Sequence, residues 1–166
     1  MKDVINQEPS VEQLRPIINY QVEEQPKAAL ALSNKLLGQF PNSVMLLNLL
    51  GASYTGINDF EAAVYHYKRA LTIDSDHANT YFNMANTQKQ MGELEAATES
   101  YKQVIKINPN DAEAYNNMGI TQQSSGFLEA AIHSYQEALK ISPNFSEAHN
   151  NLGAVLNEKG DMDAAI

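Results

Sequence analysis

Residues Ala114–Gly119 read AYNNMG. Thirty-four residues earlier, Thr80–Ala85 read TYFNMA, and thirty-four later, Ala148–Gly153 read AHNNLG. Blocks of this length starting at Ser10, Val44, Ala78, Ala112 and Ser146 align without a gap. The twentieth position is then Ala29, Ala63, Ala97, Ala131 and Ala165. The eighth is Ile17, Gly51, Ala85, Gly119 and Gly153, and the twenty-fourth is Ser33, Tyr67, Tyr101 and Tyr135. The thirty-second is Pro41, Ser75, Pro109 and Pro143. A fixed period of this size marks stacked supersecondary units, none of which can bury its apolar face alone.

Each block reads as two helices. Asn110 with Glu113, and Asn144 with Glu147, have the spacing of an N-cap and its reciprocal carboxylate. A first helix is therefore expected over about 111–124, ended by SSG at Gly126. The second, FLEAAIHSYQEALKI, carries Leu128, Ala131, Ile132, Tyr135, Ala138 and Leu139 at helical spacing on one face. Pro143 stops it. Ser10 and Gln13 also have capping-box spacing, which predicts a helix over 11–22 with Pro16 inside it and a kink over 12–16. Small residues at positions eight and twenty let helix axes approach. The buried stripe of each first helix is expected at positions four, seven, eight and eleven, which leaves five, six, nine, twelve and thirteen outward. His149, at the aromatic position four, is expected to be a packed ring.

The pattern resembles the tetratricopeptide repeat (TPR). In the fourth block its signature places are held by Tyr115, Met118-Gly119, Gln122, Ala131, Tyr135, Ala138 and Pro143. The resemblance implies an all-α fold, a right-handed α-solenoid of stacked antiparallel helix pairs. The divisions are a tail over 1–9, a degenerate capping repeat over 10–43, and repeats over 44–77, 78–111 and 112–145. A partial repeat over 146–166 is cut within its second helix.

Asparagine is a poor residue for a helix interior, about 0.5–0.7 kcal/mol worse than alanine. Yet position six holds Asn83, Asn117 and Asn151. In TPR arrays this surface lines a concave groove. The three residues resemble the amide ladder of the O-linked N-acetylglucosamine transferase type of array, where amides bind the backbone of an extended peptide. The implied function is a protein–protein interaction scaffold. Its groove would include Asn48, Asn116 and Asn150 at position five, together with Phe82, Asn86, Lys89 and Gln123. Alanine at all three position-six sites is expected to weaken binding and leave the fold intact. The alternative is the N-terminal substrate-recruiting array of a larger enzyme, a glycosyltransferase or sulfotransferase, since GDMDAAI stops midway through an expected helix. A clamp for acidic tails is disfavoured, because Arg15 is the one cation at positions two, five or six of these helices.

Composition narrows the rest. The 166 residues carry 11 Lys and Arg against 20 Asp and Glu, a net charge of −9, with no basic cluster, so no nucleic-acid partner is expected. No apolar run reaches membrane-spanning length, and no secretory leader is visible, so no membrane association and a cytoplasmic location are expected. There are no cysteines. The four histidines form no recurring metal-like grouping, and neither a phosphate-binding loop nor a nucleophile elbow appears. The chain is thus expected to be no enzyme and to hold no cofactor. Apolar residues of the last block, Leu152, Val155 and Leu156, are expected to drive self-association.

Overall fold

The computed structural model describes residues 8–164, and Ala165 of the alanine register lies outside that range. Those residues form helices and turns, in the order α1 (Val11–Val22), α2 (Pro26–Leu37), α3 (Val44–Gly56), α4 (Phe60–Ile73), α5 (Ala78–Met91), α6 (Leu94–Ile107), α7 (Ala112–Ser124), α8 (Leu128–Ile141) and α9 (Ser146–Ala164). The fold is all-α, of antiparallel helix pairs in the solenoid class. Two compact units divide the chain within α5, residues 1–87 and residues 88–166.

The turn inside each helix pair repeats. At position fifteen, Glu24, Asn58, Gly92 and Gly126 all have a left-handed backbone, with φ of 55°, 61°, 78° and 79°. The N–H of the next residue reaches back to the carbonyl of position eleven, as in Gln25 to Tyr20 at 2.7 Å and Phe127 to Gln122 at 2.9 Å. This C-terminal cap satisfies carbonyls that the helix leaves without partners. Gly160 holds the same position, but α9 runs through it to Ala164. The break expected there is absent.

Helix starts follow the expected chemistry with one shift. Ser10 and Gln13 form the reciprocal capping box, with bonds of 2.9 and 3.3 Å, and α1 is unbroken through Pro16. The cap of α7 is Asp111, one residue after the expected Asn110; its Oδ1 accepts the Ala114 N–H at 2.9 Å. At α3 the cap is Ser43, reinforced by Glu8, which accepts from the Ser43 hydroxyl and from the Val44 N–H. A carboxylate there also meets the positive end of the helix dipole. Pro9 is buried, so residues 8 and 9 of the expected tail are part of the folded unit. Residues 1–7 lie outside the described range.

The core differs in phase from the expected stripe. Position three is fully buried in four successive first helices (Leu46, Thr80, Ala114, Ala148), as is position ten (Ser53, Thr87, Thr121, Val155). The stripe is therefore three, seven, eight and ten. Hydroxyls are tolerated at position ten because each donates to the carbonyl four residues back: Ser53 to Leu49 at 2.8 Å, Thr87 to Asn83 at 3.0 Å and Thr121 to Asn117 at 2.8 Å. A buried hydroxyl without that bond would cost about 1–3 kcal/mol.

The expected close approach at positions eight and twenty is present. Ala29, Ala63, Ala97 and Ala131 are fully buried, and the rings of Tyr67 and Tyr135 lie directly over Gly51 and Gly119. In the first block the sizes are exchanged. Ile17 stands at position eight and Ser33 at twenty-four, both fully buried. A second slot joins positions eleven and twenty-three. Ser100 donates to Gln88 and Ser134 to Gln122, both at 2.7 Å. In the second block Tyr54 and His66 stack there instead, with ring centroids 5.2 Å apart. His149 is exposed rather than packed, because no later helix among the described residues covers it; its Nε2 lies 2.9 Å from the Pro143 carbonyl oxygen.

Candidate functional site

The position-six asparagines flank the buried stripe of their helices, each half-buried. They do not stand alone. In the first unit, Asn83 Nδ2 donates to Asn48 Oδ1 at 3.1 Å. In the second, Asn151 Nδ2 donates to Asn116 Oδ1 at 3.0 Å. Position six of one block therefore pairs with position five of the block before it, thirty-five residues away. The third block has Phe82 at position five, and there the arrangement changes. Asn117 Oδ1 accepts from Lys89 Nζ at 3.2 Å, a residue at position twelve.

Position twelve behaves similarly elsewhere. Gln21 donates to the Leu49 carbonyl at 2.8 Å and to Ser53 Oγ at 3.2 Å. The Thr55 and Thr87 hydroxyls are 2.8 Å apart, and Gln123 donates to Glu158 at 2.7 Å. Polar side chains at positions five, six, ten and twelve thus stitch successive first helices together within each unit. These bonds explain part of the asparagine pattern that helix propensity opposes.

Asn116 requires a correction. Expected on the outward face, it is 1% exposed. Its Nδ2 donates to Glu147 Oε1 at 3.2 Å while its Oδ1 accepts from Asn151. It supports the face and does not present itself. Asn150 is exposed, and Asn48, Phe82, Asn86, Lys89 and Gln123 are half-buried. The Asn116–Asn151 bond also revises the alanine expectation. Removing the Asn151 amide leaves a buried acceptor without its donor, at a cost of about 1–3 kcal/mol.

Charge around the second unit's site is set by a few groups. Burial pushes the Lys89 ammonium down from its ordinary range, against the opposing pull of Glu147. Burial pushes the Tyr135 phenol up to about 12, helped by the carboxylates of Glu147 and Glu158, and burial with Glu113 pushes Tyr101 up as well. Glu113, Glu147 and Glu158 are exposed. Among the described residues no three His, Asp or Glu side chains are grouped as a metal site would require, and no helix is long and apolar enough to cross a membrane.

Comparison with known proteins agrees with the repeat architecture. A family model described as TPR repeat matches residues 51–92, 89–126 and 123–160. No curated protein matches the chain. Among solved structures, MamA is 26% identical with a TM-score of 0.79, covering 87% of this chain and 84% of its own. The Cut9–Hcn1 heterotetramer of the APC/C has a TM-score of 0.80 at 22% identity, covering 88% of this chain and 30% of that one. The first TPR of Spaghetti (RPAP3), bound to the HSP90 peptide SRMEEVD, has a TM-score of 0.67 at 20% identity, covering 70% of this chain and 93% of that one. The last two likenesses concern the fold alone.

Proposed function

We propose, starting from the fact that the chain belongs to the TPR repeat family, that it is a protein-interaction scaffold that holds extended peptide at the position-six amides of its first helices, Asn83 in the first unit and Asn117 with Asn151 in the second. The observation that carries this reading is the incomplete use of the amides. Asn83 and Asn151 each give one N–H to a neighbouring block, and Asn117 accepts one bond from Lys89. Among the described residues the Oδ1 of Asn83 and of Asn151 and the Nδ2 of Asn117 have no other protein partner. A carboxamide both donates and accepts, as a peptide unit does. The neighbour that holds each amide also fixes its rotamer, which lowers the ordering cost on binding. On the same fold, the RPAP3 repeat holds a short peptide.

A net gain of about 0.5–1.5 kcal/mol per hydrogen bond makes the ladder a modest, weakly sequence-dependent contributor. On this reading the chain itself carries no catalytic site. The test uses peptides selected on the full chain from a displayed random library. Asn83→Ala with Asn117→Ala avoids the buried acceptor at Asn116, so the fold should persist by circular dichroism. Binding should weaken about tenfold, since two or three bonds of this size are lost. Unchanged affinity would sink the proposal.

A further inference from the structure

Phe127 departs from the repeat. It occupies position sixteen, which holds Gln25, Asp59, Glu93 and Asp161 in the other blocks. The second helix of each pair starts from this position. Asp59 caps α4 there by accepting the Ala62 N–H at 3.2 Å, whereas α8 has no side-chain cap. A short polar residue at Phe127 would stabilise the helix start. The ring gains little burial in exchange, because it is 60% exposed. Beside it lies a cavity of about 280 Å³, with Glu95, Thr98 and Lys102 of α6 and Ser125 in its wall. That is room for one long side chain, and less than the roughly 300–1,000 Å³ of a site for a whole small molecule.

The wall favours a donor of positive charge. The Glu95 carboxylate is exposed and, among the described residues, makes no hydrogen bond or ion pair. Ser125 gives its proton to the Thr121 carbonyl at 2.9 Å, which leaves its oxygen to accept. The charge of Lys102 is offset by Glu99, 3.3 Å away. Residues 88–166 hold five Lys and no Arg against eleven Asp and Glu. We infer that this corner of the second unit docks an arginine side chain of a protein partner, with the guanidinium over the Phe127 ring and hydrogen-bonded to the Glu95 carboxylate. An aromatic face attracts a cation, and the planar guanidinium both stacks on a ring and forks onto a carboxylate. Its five N–H groups suit a wall of acceptors, and it is less strongly hydrated than an ammonium. The surrounding excess of acids draws a basic partner toward the site. None of these residues stands at position six, so the site is distinct from the amides.

The test titrates the blocked tripeptide Gly-Arg-Gly into the isotope-labelled full chain and follows it by NMR. The amide signals of Thr98, Ser125 and Phe127 should shift and saturate at one Kd. Phe127→Asn should weaken binding about tenfold. Its melting temperature should be unchanged or higher, because asparagine is a capping residue. Glu95→Gln should weaken binding about tenfold. Citrulline in place of the peptide's arginine keeps the shape, loses the charge and should weaken it by at least as much. Free L-arginine, whose own carboxylate meets Glu95, should bind several-fold more weakly than the tripeptide. Shifts scattered over the acidic helices, equal binding of the citrulline peptide, or an affinity untouched by Phe127→Asn would overturn the inference. A clearly lowered melting temperature for Phe127→Asn would overturn it too, by showing that the ring serves the fold. Free arginine binding as tightly as the tripeptide would overturn the assignment to a protein partner.

Discussion

Gly119 and Gly153 occupy the same repeat position, and the structure predicts opposite responses to the same substitution. A Cβ built on Gly119 would lie 2.6 Å from Cε1 and 2.7 Å from Cδ1 of Tyr135. Carbon atoms pack at about 3.5–4.0 Å, so the ring or the helix must move by about 1 Å. The ring is fully buried, and its hydroxyl donates to Gln123 at 3.0 Å, so it has little room to swing. Overpacking of this kind costs about 1–3 kcal/mol. Alanine returns about 1 kcal/mol through helix propensity. Gly119→Ala should therefore destabilise the protein by up to about 2 kcal/mol. At Gly153 nothing lies within 4 Å of the added Cβ. Only the propensity gain operates there, and Gly153→Ala should stabilise α9 by up to about 1 kcal/mol. Urea denaturation reads the first change, and hydrogen exchange of α9 amides reads the second where the helix opens before the rest. Equal shifts of the same sign at both glycines would refute the packing argument.

Alkaline stability follows from the tyrosines. The phenols of Tyr67, Tyr101 and Tyr135 are all pushed up on folding, Tyr135 to about 12. Above the unfolded value near 10 the unfolded chain loses these protons while the folded one keeps them. Stability should hold below that value and fall as pH rises through about 10 to 12; a flat urea midpoint over this range would contradict it. Ser33 Oγ is buried without a hydrogen-bond partner, so Ser33→Ala should be neutral or stabilising by up to about 1 kcal/mol, and a clear loss in thermal denaturation would show that the hydroxyl has a role. On α9, Leu156 is 49% exposed beside the open flank of Gly153, and two copies are expected to associate through this face. Sedimentation equilibrium should show a concentration-dependent dimer that Leu156→Glu abolishes, whereas a monomer at high micromolar concentration would exclude it.

The repeat interval, the alanines at position twenty and the small residues at position eight were legible in the sequence because each involves residue size at a constant spacing. The start of α1 was legible for a similar reason: Ser10 and Gln13 lie three residues apart, and their bonds are local. The cap of α7 was missed by one residue because Asn110 and Asp111 are adjacent side chains of equal capping ability. The buried stripe was misplaced at position ten because serine and threonine there read as polar, and their burial depends on a bond to the carbonyl four residues back. The partners of Asn83 and Asn151 were not visible at all. Those contacts span thirty-five residues and depend on how neighbouring helices lie. A signal was present in hindsight: position five is asparagine in the blocks before Asn83 and Asn151, and phenylalanine in the block before Asn117. Gly160 shows a limit of a different kind. The same position and residue type that follows α5 and α7 with a left-handed backbone lies inside α9, so glycine at position fifteen permits the turn without dictating it.

The central claim is that position-six carboxamides meet a ligand backbone while remaining paired across blocks. It is tested most directly by following the side-chain NH2 resonances of Asn83, Asn117 and Asn151 during titration with a peptide selected on the full chain. Each asparagine's signals should shift and saturate, Asn117 and Asn151 of the second unit together at one Kd, with the buried Asn116 moving less. Shifts confined to the outer faces of α4, α6 or α8, with the three asparagines unmoved at saturation, would contradict it.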